Sequence, residues 1–229
     1  MEFLIISLLS IILIFVLFAI FGVNMKKLKE MTNIKELDKI SDKYPSNIKI
    51  CKEYLKKLKN EKVKIEENEE SDTTVYIAIT NKISIGNLRN SYTRIQTIAH
   101  ECLHSIQNRK ILLFNFIFSN IYLIYFFAVL IIAIFGKLPN QMACITTLAI
   151  LGIVYLIVRM YLENDAMIKA RYLAKEYMEE KEISTKEEIE KMIQQYDIVN
   201  DLGIKCVHYQ LALNVLAKIA ILSLVCFWR

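Results

Sequence analysis

The stretch IAHECLHSIQNRKILLFNFIFSNIYLIYFFAVLIIAIF, residues 98–135, joins two kinds of sequence. Its first ten residues hold two of the chain's three histidines, His100 and His104, with Glu101 directly after the first. From Ile111 to Phe135 it carries no charge, and about 20 apolar residues are enough for a helix to cross a bilayer. Only Asn108, Arg109 and Lys110 separate the two parts. The histidine segment is therefore expected beside a membrane rather than within it.

Three further runs extend this reading. Phe3–Val23 is uncharged and long enough to span. It lacks the basic start, the shorter apolar run and the small-x-small end of a cleavable signal, so it reads as a permanent anchor. Met142–Tyr161 is a third span, joined to Ile111–Phe135 by a short turn over residues 136–141. Leu211–Trp228 is a fourth candidate, with Lys218 near its middle, and a charge so placed marks a functional residue unless the helix enters the bilayer only beyond it. The composition fits spans combined with a polar lobe: 55% hydrophobic residues and a mean hydropathy of +0.33, yet 23% charged. With only 5 Gly and 2 Pro, long helices are expected. No internal repeat or low-complexity segment is visible.

Lys and Arg set the orientation. Residues 24–110 carry 18 of the 29 and residues 159–205 carry 8 more, so both segments are expected on the cytoplasmic side with the N-terminus outside. The net charge of +5 follows from that topology, and no stretch interleaves basic and aromatic residues as a nucleic-acid binder would. The five cysteines are scattered, with no C-x-x-C pair, and Cys102 is expected to face the core.

Within the polar segments, residues 33–60 predict two amphipathic helices broken near Pro45. Residues 74–79 and 82–85 predict two strands turning at Thr80–Asn81, which could offer an edge to an extended peptide. The motif helix is expected from Asn90 or Ser91 through Arg109. Further helices are expected over 162–180 and from a Ser184/Glu187 capping box to Gly203.

His100-Glu101-Cys102-Leu103-His104 is an H-E-x-x-H sequence. Spacing of four residues puts both imidazoles on one helix face, where both reach a single ion. Glu101 is placed to take a proton from a water at that ion without being a ligand. Zinc needs a third protein ligand, and the chain returns from the third span at YLENDAMIKARYLA, residues 161–174, where Glu163 is the first acid. Ala166, Ala170 and Ala174 share roughly one face with Glu163, and such a small-residue stripe lets this helix lie close to its neighbour. Gln107 and Asp165 are candidates to support the ligands. Asp165, two residues from Glu163, is expected to point away from it in a regular helix. His208, with Tyr209, is the candidate for steadying an oxyanion.

H-E-x-x-H followed by Ser-Ile-Gln, a membrane hairpin and E-x-D-A-x-x-x-A resembles the YugP-type neutral zinc metallopeptidases of prokaryotic membranes. Specific residues carry the resemblance only at 98–107 and 163–170. It implies His100, His104 and Glu163 as ligands of Zn2+ and Glu101 as the catalytic acid/base. Leu103 stands where many such peptidases have Gly, and Met167–Ile168 replaces a more polar pair. The HtpX-related and CAAX-processing membrane proteases share the order of elements but place an Asp four residues after the Glu ligand, where this chain has Met167.

The expected fold is a mainly α membrane protein: three to four transmembrane helices with a cytoplasmic α+β zincin-like lobe round the H-E-x-x-H helix. Its parts are an anchor (1–23), a lobe segment (24–110), a hairpin (111–161), cytoplasmic helices (162–207) and a C-terminal helix (208–229). The expected function is hydrolysis of a polypeptide, membrane proteins included, at the cytoplasmic face of a prokaryotic membrane, with lipid as surroundings and no nucleic-acid partner. The alternatives are a metal-free, catalytically inactive membrane scaffold retaining the same fold, or an HtpX-like or CAAX-processing membrane protease.

Overall fold

The structure is a computed structural model describing residues 1–88 and 91–229. The chain is mostly helical, with one three-stranded sheet. It divides into two compact units: Met1–Val23, Phe114–Tyr161 and Lys205–Arg229 form one, and Asn24–Leu113 with Leu162–Ile204 the other.

The first unit is apolar. It is built from α1 (Glu2–Phe21) and parts of α6 (Arg109–Ile134), α7 (Gln141–Lys181) and α8 (Lys186–Trp228), all four long and apolar enough to cross a membrane. Tyr122, Phe126, Val129, Leu148 and Leu222 are buried among them, while Phe15, Ile20, Ile124 and Ile157 are exposed. A helix that is apolar all round, with large side chains turned outward, suits a surrounding of hydrocarbon rather than water. Gly136 (φ 67°) ends α6. Its N–H donates to the Ala133 carbonyl at 2.8 Å and that of Lys137 to the Ile132 carbonyl at 3.1 Å, the paired bonds of a left-handed helix stop that favours glycine. Lys218 lies within this unit: Nζ donates to Asn214 Oδ1 at 2.6 Å and sits 4.4 Å from the centre of the Tyr122 ring.

The second unit contains α2 (Met25–Met31), α3 (Lys35–Ser41), α4 (Asn47–Lys57), β1 (Lys64–Asn68), β2 (Val75–Ile77), β3 (Lys82–Gly86) and α5 (Arg94–Ile106). The sheet order is β1-β3-β2, with β1 parallel and β2 antiparallel to β3. β2 and β3 lie where β-branched residues predict strands. β1 is additional: of its five residues only Ile65 is partly buried, so it lacks the alternation that identifies a strand.

Ile50, Cys51, Tyr54 and Leu55 of α4 pack in one core with Ile83 and Ile85 of β3, Ile95, Ile98, Ala99 and Cys102 of α5, and Ala166, Ala170 and Ala174 of α7. Cys102 faces this core, its Sγ 3.7 Å from that of Cys51.

Three helices have boundaries that differ from the sequence-based expectation. The motif helix is shorter, Arg94–Ile106; Asn90 lies outside the described residues, and Gln107 is extended. The Asn108 side chain then accepts from the Lys110 N–H at 2.9 Å and starts a new helix, so Arg109 belongs to α6. Residues 162–180 continue α7 without a break, so Glu163 is mid-helix and not at an N-terminus. α8 starts after Thr185 and runs through Gly203. Thr185 and Glu188, not Ser184 and Glu187, form the capping box: the Glu188 N–H donates to Thr185 Oγ1 at 3.2 Å and the Thr185 N–H to Glu188 Oε2 at 3.0 Å. At Gly203, inside the helix, a Cβ would lie 3.0 Å from the Met167 methyl, the end of a flexible side chain.

Arg94 joins the start of α5 to the α3–α4 turn. It is 4% exposed. Nε donates to Ser41 Oγ, Nη1 to the Pro45 carbonyl and Asn47 Oδ1, and Nη2 to the Ser41 and Tyr44 carbonyls, at 2.6–3.0 Å. All five guanidinium N–H groups are thereby used. Arg94→Met is expected to lower stability by about 3 kcal/mol or more, because it leaves buried carbonyls without donors. Arg94→Lys should recover little of this, since an ammonium cannot reproduce the planar fork. Denaturant unfolding of both variants tests this, and equal stability of Arg94→Lys and wild type would refute it.

Candidate metal centre

The site lies within the second unit, on the sides of α5 and α7. Four-residue spacing brings the His100 and His104 rings together, with Nε2 atoms 3.0 Å apart and planes at 89°. Glu163 Oε2 is 3.6 Å from His100 Nε2 and 3.7 Å from His104 Nε2. Among the described residues this is the one group of three or more His, Cys, Asp or Glu side chains able to share an ion. The point equidistant from the three atoms lies about 2.0 Å from each, within the bond lengths of zinc to imidazole and carboxylate. Two imidazoles and a carboxylate also suit other first-row divalent ions. The residues thus fit a small divalent metal.

The alanine stripe accounts for the close approach. Ala166 and Ala170 are 0% and 1% exposed in the core that holds the buried face of α5. Glu163, one turn before Ala166, is carried to the histidines by the same packing.

Glu101 is 7% exposed and stands beside this triangle. Its Oε2 accepts from the Tyr76 N–H at 2.6 Å, and its Oε1 is 3.8 Å from His100 Nε2. Burial pushes its pKa above the ordinary carboxylate value, partly offset by the two imidazoles and the Tyr76 amide. At His104, burial opposes the charged ring, but Glu163, Glu101 and Gln107 outweigh it and raise the pKa.

Gln107 Oε1 is 2.8 Å from His104 Nδ1. Its Nε2 donates to the Leu162 carbonyl at 2.8 Å and to Asp165 Oδ2 at 3.0 Å. Asp165 therefore meets Gln107. It reaches His104 only through that amide. Lys169 Nζ holds its other oxygen at 2.5 Å. Burial raises the Asp165 carboxyl, but Lys169 and Gln107 together bring it below the usual value.

His208 and Tyr209 lie in the apolar unit, in edge contact with Phe21 and Phe18 respectively. Two partners of the site have no signature in the sequence: the Tyr76 N–H and the Leu162 carbonyl are backbone groups, which nearly any residue type could supply. No protein-family model, curated protein or solved structure matches the chain.

Proposed function

We propose that the chain is a membrane-anchored zinc metallopeptidase of the YugP-like type, with its site at the cytoplasmic face. The observation that carries this reading is the triangle of His100, His104 and Glu163 with a held, non-ligand carboxylate, Glu101, against it. The four long apolar helices, with large apolar side chains turned outward, support the membrane anchor.

His100, His104 and Glu163 would hold the ion through Nε2, Nε2 and a carboxylate oxygen. A zinc ion held there would polarise the scissile carbonyl and make the attacking water more acidic. Glu101 takes the proton from that water and later delivers it to the leaving amine. Its Oε2 is tethered to the Tyr76 N–H, so the carboxylate keeps one orientation while Oε1 does this work. β2 is an edge strand whose Tyr76 N–H points at Glu101, so a polypeptide laid along this edge would pass the carboxylate. His208 is the sequence-based candidate for steadying the oxyanion.

Elemental analysis of purified protein tests the reading. One zinc per chain is expected, and a protein without metal would be the scaffold instead. Comparing newly formed protein termini in cells expressing wild-type and Glu101→Gln protein would then define the substrates.

Topology gives a separate prediction. In a cysteine-free background, a cysteine in the 136–141 turn should label with an impermeant reagent from outside, and one at Asn68 should not. The opposite pattern would move the site to the other face.

A further inference from the structure

We propose that Gln107 is a positioning residue: its amide acts as a relay that selects the Nδ1–H form of His104, with the Leu162 carbonyl and Asp165 fixing the relay's direction. This rests on His104 being a metal ligand through Nε2, and it adds the means by which that nitrogen is left free.

The direction of the amide follows from the chemistry of its neighbours. Nε2 of Gln107 faces the Leu162 carbonyl at 2.8 Å and Asp165 Oδ2 at 3.0 Å. Both are acceptors, because Leu162 O has no hydrogen and Asp165 is an ion-paired carboxylate, with Lys169 Nζ 2.5 Å from Oδ1. Reversing the amide would set its oxygen against two other oxygens with no hydrogen between them. The oxygen must therefore face His104 Nδ1, at 2.8 Å. An amide oxygen only accepts, so Nδ1 must carry the hydrogen. In the neutral ring the lone pair is then on Nε2, the atom 3.0 Å from His100 Nε2 and 3.7 Å from Glu163 Oε2.

A carboxylate commonly plays this part at metal-binding histidines, directly and with its own charge. Here a neutral amide stands between the ring and the carboxylate. Asp165 orients the ring without touching it, and its charge is shared with Lys169 instead of being placed against the imidazole. Sequence spacing could place Gln107 near His104, but only the contact with α7 determines which end of the amide the ring meets.

The test uses full-length protein in lipid nanodiscs, labelled with 15N in its histidine rings, of which the chain has three. Spectra of metal-free protein are taken at a pH where the imidazoles are neutral, and zinc affinity is measured by competition with a chromophoric chelator. Wild-type His104 should carry its hydrogen on Nδ1. Gln107→Leu should move it to Nε2, the form that a free histidine side chain favours, and weaken zinc binding by about 10–100-fold. Gln107→Glu should also weaken binding, because a carboxylate oxygen then meets both the Leu162 carbonyl and Asp165 with no hydrogen between them. Wild-type His104 protonated on Nε2, or an unchanged tautomer in Gln107→Leu, would overturn the relay. The tautomer is read without metal. It therefore decides the relay even if wild-type protein takes up no zinc, the result that would instead defeat the peptidase reading.

Discussion

Glu101→Gln is expected to reduce peptide hydrolysis by about 10²–10⁴-fold, the contribution of a positioned general acid–base, while leaving bound zinc close to wild type. The separation of the two effects follows from the geometry. Glu101 is not one of the three atoms of the ligand triangle, so its loss removes proton transfer and not metal binding. The substitution is also gentle on the fold. Glutamine has the same shape and keeps an oxygen to accept from the Tyr76 N–H, the bond that ties this buried side chain to β2. Glu101→Ala would be a poorer test, because it leaves that amide without its partner and opens a void beside the site. Hydrolysis of a peptide substrate and zinc per chain should be measured on the same preparation. Activity above about a tenth of wild type would show that Glu101 is not the base. Loss of zinc together with activity would mean that it contributes to holding the ion.

How far the site can be read from sequence depends on how local each contact is. His100 and His104 are neighbours in any α-helix, so spacing alone puts their rings within reach of each other. Glu163 is 59 positions beyond His104, and what suggests its approach is the pattern of Ala166, Ala170 and Ala174, which has a purpose only if something packs closely against it. The contact of Asp165 with Gln107 has no such signature. It depends on the direction in which α7 passes the end of α5, and no spacing rule contains that. The missed helix boundaries share a different cause. A change from apolar to polar sequence near residue 162, or a glycine at 203, looks like an end, but backbone hydrogen bonding does not depend on side-chain polarity. α7 and α8 simply continue through. β1 escaped notice because an edge strand of Lys, Glu and Asn has almost no buried face to impose a pattern.

The dependence of Glu163 on its helix makes the second large effect distinctive. Glu163→Ala removes one of three ligand atoms, and zinc affinity should fall well beyond the roughly 10–100-fold expected of Asp165→Ala, which acts only through Gln107. Ala166→Leu and Ala170→Leu should also weaken zinc binding, although neither residue is in the ligand triangle. Both are almost completely buried, in the core shared with Ile98, Ala99 and Cys102 of the motif helix. A leucine there has no space, and such overpacking costs about 1–3 kcal/mol, largely by displacing backbone. Displacement of α7 carries Glu163 away from two imidazoles that remain fixed relative to each other on α5. The three donor atoms then no longer share a point at metal-bond distance. If the cluster were merely a polar patch, all four substitutions would alter stability and none would alter metal content. Zinc stoichiometry and affinity across the four variants separate these cases. A full, wild-type-tight zinc complement in Glu163→Ala would remove this residue from the site, whereas loss of zinc in the two leucine variants as well would show that the alanine face sets the ligand geometry.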